Sequence, residues 1–127
     1  MTTNEVKKGQ SSTGLAPNAA AALSYLAWWV SGLLFFLIER DSRFVKFHAA
    51  QAMVALGALW ALGLAMWAFA LSALFVSAAV FTVLLYVAYA VWLLGILVWG
   101  ISIVRAWKGD EFDLPIFGPI ARRLSNS

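Results

Sequence analysis

Glu39-Arg40-Asp41-Ser42-Arg43-Phe44-Val45-Lys46-Phe47-His48-Ala49-Ala50-Gln51 is the stretch on which the fold turns. It is a charge cluster between two long apolar blocks, Ala19–Ile38 before it and Ala49–Val104 after it. It sets where the first block ends, where the second begins and which way both point. Asp41 or Ser42 suits the N-cap of the second block's helix, because a short side-chain oxygen accepts from an unsatisfied first-turn N–H. From there Phe44, Phe47, His48 and Gln51 share one face at i, i+3, i+4 and i+7. Arg43, Lys46 and Ala50 share another. A helix that enters a bilayer from the headgroup zone reads this way: the basic side chains snorkel outward and the phenyl rings anchor.

Working outward, the first block is about 20 residues, or about 30 Å of helix, one hydrocarbon thickness. It is too long for the apolar core of a signal peptide. Residues 1–18 before it are polar and mixed and are expected to be a disordered tail. The second block carries no charge from Ala49 to Val104. As one helix it would run about 84 Å, room for two spans and a turn. The turn belongs within Leu71–Ala79, where Ser72 and Ser77 are the polar residues and neither Gly nor Pro occurs. The expected fold is therefore all-α, a polytopic membrane protein with a bundle of three transmembrane helices at about 19–38, 43–71 and 78–107. Arg105, Lys108 and then Gly109 make a helix C-terminus. Beyond it Pro115 and Pro119 forbid a continuing helix. Pro119 suits the first position of a last short turn, and 109–127 reads as a cytoplasmic tail lying on the membrane surface.

Composition supports that class. Of 127 residues 63% are hydrophobic and 12% charged, against about 45–50% and about 25% in soluble domains. A soluble globule this small cannot hide so much apolar surface. There is no cysteine, which excludes disulfides, thiolate metal sites and cysteine nucleophiles. The net charge of +3 is what basic flanks of membrane spans produce and does not point to nucleic acid. With three spans, Lys7 and Lys8 fall on one side and seven basic residues, Arg40, Arg43, Lys46, Arg105, Lys108, Arg122 and Arg123, on the other. The positive-inside rule then puts the N-terminus outside and the C-terminus in the cytoplasm.

His48 is the single histidine. It reads either as a haem ligand, pH switch or proton carrier, or as a polar packing residue that bonds a neighbouring helix. Gln51, one turn deeper, needs partners in lipid. The two are expected to pair and to be directed at helix 1 or helix 3, with Ser24, Ser31, Tyr86, Tyr89 and Ser102 as candidates. Glu39, Arg40, Asp41, Arg43 and Lys46 read as a solvated loop or as a docking surface for Asp110, Glu111, Asp113, Arg122 and Arg123. Trp28, Trp29, Trp60 and Trp92 fall deep and read as packing residues or as an aromatic pocket for a lipid or quinone. Gly57, Ala61 and Ala65 form a small-residue stripe that permits close helix approach.

The cluster and the tail together resemble a known family. Phe44 to Gln51 is similar to its RFVRFHAxQ signature, Lys108-Gly109-Asp110-Glu111-Phe112-Asp113-Leu114-Pro115-Ile116-Phe117-Gly118 to its KGExxxLPxIG ending, and Leu23-Ser24-Tyr25-Leu26 with Gly32 and Glu39 to its first helix. The family groups small prokaryotic membrane proteins of unknown function with the twenty-kilodalton subunit of the chloroplast inner-envelope protein translocon. The resemblance covers about residues 20–121 and implies no catalytic residues. The candidate structural or interaction residues are Glu39, Arg43, Lys46, Phe47, His48, Gln51, Gly109, Leu114, Pro115 and Gly118. The expected function is a non-enzymatic membrane scaffold or complex subunit, without cofactor or metal, in contact with the bilayer and with a second copy or other membrane proteins. The alternative is a transporter or protein-translocation channel component acting as an oligomer.

Overall fold

The computed structural model describes residues 11–110, 113–114 and 116–126. The regular elements among them are helices: α1 Pro17–Leu26, α2 Trp28–Ile38, α3 Arg43–Ala73, α4 Ala78–Trp107 and α5 Phe117–Ser125. Within α3 the turn Ala52–Leu56 is π-helical. The described residues divide into two units, 11–57 with 99–126 and 58–98.

Two helices, α3 and α4, are long and apolar enough to cross a membrane. At 31 and 30 residues each runs about 45 Å. The single first helix expected over 19–38 is corrected. It is two helices, and they double back. Ser12 N–H and Ser12 Oγ each lie 2.7 Å from Glu39 Oε2, so the residues before α1 touch the residue after α2. A straight helix would hold those ends about 30 Å apart. The break lies at Ala27-Trp28, without Gly or Pro. Ser31 offers the backbone an alternative to helix there: its Oγ accepts from Ala27 N–H at 2.9 Å and donates to the Ser24 carbonyl at 2.8 Å. Trp28 sits at φ 58, a left-handed conformation that costs about 1–2 kcal/mol in an L-residue.

In the first unit α1 is buried along Ala20, Ala21, Ala22, Ser24 and Tyr25. The buried residue of α2 is Gly32, where the helix crosses α3 at the π turn. A Cβ on Gly32 would stand 2.7 Å from Met53 N and 2.9 Å from Ala49 O, so only glycine lets the two backbones meet. Helix α3 opens on Ser42, whose Oγ accepts from Val45 N–H at 3.3 Å; of the two expected caps it is Ser42. Helix α4 closes at Gly109, φ 87, with Gly109 N–H on the Ala106 carbonyl and Asp110 N–H on the Arg105 carbonyl, both at 3.0 Å. Those two bonds define a Schellman cap. The last helix starts at Phe117, ahead of Pro119, and docks on the first turns of α3 through Ala121, Phe47 and Ala50, with Phe36 and Leu124 beside them.

The second unit is a helical hairpin. The turn is Leu74–Ser77, and its N–H groups bond back to Leu71, Ser72 and Ala73 carbonyls at 2.9–3.3 Å, which is how it closes without Gly or Pro. Gly63 packs on the Trp92 indole, where a Cβ would stand 2.6 Å from the ring. Of the stripe expected at Gly57, Ala61 and Ala65, Gly57 meets Trp29 while Ala61 and Ala65 are exposed; Leu59, Gly63 and Ala70 are the buried positions of that stretch.

Candidate functional site: a buried polar knot of Tyr25, His48 and Gln51

Amphipathic spacing puts His48 and Gln51 on the face of α3 that looks at α1, and both are fully buried. They meet on a third residue. The Tyr25 hydroxyl is 2.7 Å from His48 Nδ1 and accepts from Gln51 Nε2 at 3.0 Å. On the other side His48 Nε2 is 2.9 Å from the Asp110 carbonyl, and Gln51 Oε1 accepts from Leu114 N–H at 3.0 Å. A carbonyl only accepts, so His48 Nε2 carries a proton; with the ring neutral, Nδ1 accepts from the tyrosine. The bonds run in one direction: Gln51 amide to Tyr25 oxygen, Tyr25 O–H to His48 Nδ1, His48 Nε2–H to Asp110. Phe44, Phe47 and Tyr25 wall the ring edge-on at centroid distances of 4.7, 5.2 and 5.5 Å.

The knot joins α1, the start of α3 and the segment after α4. The cap at Gly109 is what aims the Asp110 carbonyl at His48. Three sequence expectations are corrected here. The partner from the first block is Tyr25, neither Ser24 nor Ser31; Ser24 Oγ returns to the Ala21 carbonyl at 2.6 Å. Tyr86 and Tyr89 are exposed, and the Ser102 hydroxyl is buried with no hydrogen-bond partner among the described residues. As a haem ligand His48 would have to break a bond, since both ring nitrogens are engaged.

Glu39 forms a second focus and is not part of a solvated loop: it is 2% exposed. Ser11 Oγ and Ser12 Oγ donate to its carboxylate, as do the N–H groups of Ser12, Asp41 and Ser42 at 2.7, 3.1 and 3.2 Å. Burial pushes that carboxyl up, but the bonds from Ser11, Ser12 and Ser42 together outweigh it and hold it at about 2. The expected tail over 1–18 is corrected in its last part, since Ser11 and Ser12 hold Glu39 and Pro17 opens α1; residues 1–10 lie outside the described residues.

The remaining candidates sort by contact. Arg43 and Lys46, with Arg40, Asp41 and Ser42, line a polar hollow of about 300 Å³ that Ser125 and Asn126 complete; of the tail residues expected to dock on the cluster, Asp110 pairs with Arg105 and Asp113 with Arg122. Lys46 also lies over the Phe36 ring at 5.2 Å. Phe47 is buried beneath Arg122, whose guanidinium stands 4.4 Å from its ring centroid. Arg122 Nε also donates to Asp113 Oδ2 at 2.8 Å, and that hydrogen bond, ahead of burial and the simple charge attraction, holds the Asp113 carboxyl below its ordinary range. Gly118 is buried, and a Cβ there would stand 2.8 Å from Asp113 Cα. Pro115, Glu111 and Phe112 lie outside the described residues. Of the deep tryptophans, Trp29 packs on Gly57 and Trp92 on Gly63. Residues that sequence reasoning missed as functional are Tyr25, Ser11 and Ser12; Tyr25 had a signal in the motif it shares with Leu23, Ser24 and Leu26.

Residues 11–121 match the model of the magnetosome magnetite crystal formation protein family. Two relatives from Methanocaldococcus jannaschii are UPF0132 membrane proteins, each 34% identical to this chain. The alignments cover 92% of this chain and 96% of the first relative, and 87% of this chain and 71% of the second. A UPF0132 membrane protein of Archaeoglobus fulgidus is 35% identical over 84% of this chain and 92% of its own. No solved structure matches the chain.

Proposed function

Because this chain belongs to the magnetosome magnetite crystal formation protein family, whose archaeal relatives are membrane proteins, we propose that it is a non-enzymatic membrane scaffold or complex subunit. The carrying observation is how the buried polar groups are used. Both nitrogens of His48, both ends of the Gln51 amide and the Tyr25 hydroxyl are committed to one another and to the backbone at Asp110 and Leu114. These bonds fasten three segments into a platform. An enzyme keeps a nucleophile and base facing a cleft. Here the polar groups are spent on holding the fold.

The platform's working parts are then its outer faces: the charged surface of Arg40, Asp41 and Arg43, and the outer side of α5, with Ile120 and Arg123. The family description names magnetite crystal formation. The scaffold reading takes from it only a role within an assembly at a membrane, because among the described residues no three of His, Cys, Asp and Glu group to hold a metal ion. The translocation reading rests on the translocon resemblance alone.

The test is photo-crosslinking in native membranes from a reactive residue at Ile120, which is 42% exposed. The expected result is a small set of discrete protein adducts, either a second copy or defined membrane proteins. Adducts to lipid only would refute the scaffold reading.

A further inference from the structure

The first apolar block begins and ends in the same place. Ser11 and Ser12, before α1, bond Glu39, after α2. The Asn18 amide, in the first turn of α1, donates to the carbonyl of Trp107, the last residue of α4, at 3.1 Å. His48 and Gln51 tie the start of α3 to Asp110 and Leu114, just beyond α4. The start of α1, the end of α2, the start of α3 and the end of α4 thus share one level. The break between α1 and α2 lies at another. Trp99 Nε1 donates to the Leu26 carbonyl at 3.2 Å, and Trp99 stands eight residues, about 12 Å, along α4 from Trp107. Helix α2, with 11 residues, is about 16 Å long, about half the hydrocarbon thickness of about 30 Å.

We infer that α1 and α2 form a re-entrant hairpin: it enters and leaves the same leaflet, faces that leaflet's acyl chains with Val30, Leu33, Leu34 and Leu37, and leaves α3 and α4 as the two spans. Two observations beyond the geometry favour lipid as what covers that face. The first is the apex. Non-helical backbone at membrane depth is tolerated only where its polar groups are satisfied by protein. Here the Ala27 N–H goes to Ser31, the Ser24 carbonyl receives Ser31, the Leu26 carbonyl receives Trp99, and the Ala27 carbonyl receives Val30 N–H at 3.2 Å. A helix break exposed to water would need none of this.

The second is charge. Three crossings would split the nine basic residues seven against two. With the re-entrant path all nine, including Lys7 and Lys8, fall on one side, and the turn Leu74–Ser77 has none. The positive-inside rule favours that arrangement and makes the charged side cytoplasmic. The N-terminus, the Glu39–Ser42 loop and the C-terminus all face the cytoplasm, and Phe75 and Val76, 94% and 85% exposed, face outward. This replaces the expectation of three spans with an outside N-terminus.

The chain has no cysteine, so single cysteines report cleanly. Leu15→Cys, Asp41→Cys, Phe75→Cys and Ala27→Cys are treated with an impermeant thiol reagent on intact cells and again after permeabilisation. The expected pattern is Phe75→Cys labelled in intact cells, Leu15→Cys and Asp41→Cys only after permeabilisation, and Ala27→Cys in neither. Three spans give Leu15→Cys labelled in intact cells, and that result overturns the hairpin, as does labelling of Ala27→Cys from outside. Thr2→Cys repeats the N-terminal test in case Leu15→Cys disturbs the start of α1. A hairpin result leaves the scaffold reading open, and a crosslinking failure leaves the hairpin standing, because the two assays read different surfaces.

Discussion

Tyr25→Phe removes one oxygen and keeps the ring. In the structure that oxygen holds two bonds, one to His48 Nδ1 at 2.7 Å and one from Gln51 Nε2 at 3.0 Å. Interhelical hydrogen bonds in membrane proteins average about 0.6 kcal/mol and seldom exceed about 1.7. Two of them give an expected loss of about 1.2 kcal/mol, with a ceiling of about 3.4. The ring stays edge-on to His48, so packing loss adds little. The assay is unfolding of the detergent-purified protein, run as a double-mutant cycle with Gln51→Leu. If the hydroxyl carries the pair, the double variant loses less than the sum by about 0.5 kcal/mol or more. A Tyr25→Phe protein as stable as the native chain, or strictly additive effects in the cycle, would refute the knot as the fastening of α1 to α3.

Four further outcomes follow from other positions. Glu39→Gln keeps the shape but drops the charge that Ser11, Ser12 and Ser42 bond. The folded carboxyl sits at about 2, below its ordinary 4.5, so its contribution is complete above about pH 4.5 and is lost as pH falls toward 2; the stability gap between native and Glu39→Gln proteins should close over that window, and a gap that stays constant to pH 2 counts against the staple. Gly32→Val drives a side chain against Met53 N and Ala49 O, at 2.7 and 2.9 Å from its Cβ, and is expected to cost about 1–3 kcal/mol. Gly100→Ala, whose Cβ meets nothing within 4 Å, should be neutral in the same unfolding assay. Gly109→Ala forces a side chain into φ 87, at about 1–2 kcal/mol, and should lower stability less in a His48→Ala background than alone, because the cap acts partly by aiming Asp110.

The helical class, the two long apolar helices and the turn near 71–79 were legible in the sequence because each depends on local runs: unbroken hydropathy, a capping serine, a glycine after basic residues. His48 and Gln51 were legible as a pair because helical spacing brings them to one face. Their partners were not. Tyr25 is more than twenty residues away, and Asp110 and Leu114 offer backbone atoms, which no side-chain inventory reveals. Glu39 was misread for a related reason. A carboxylate in a charge cluster reads as solvated, and only the fold shows Ser11 and Ser12 brought back across the whole first block to satisfy it.

That return is the deeper lesson of the first block. Hydropathy over Ala19–Ile38 measures how much lipid the segment can face; it does not measure the path the segment takes. A straight helix and a hairpin of two half-length helices have the same composition. The signals that separate them are polar and sparse. Ser31 sits just past the break and its hydroxyl serves the backbone there, from Ala27 N–H to the Ser24 carbonyl. Glu39 needs donors at the end of α2 that the loop after it only partly supplies. Basic residues before the block match the sign of those after it. Each has an ordinary explanation in a single span. In the structure the two ends meet through Ser11, Ser12 and Glu39, and the same fold-back places Tyr25 against His48. The hairpin and the knot are one device: without the fold-back, Tyr25 would lie deeper along α3 than His48 and could not reach it.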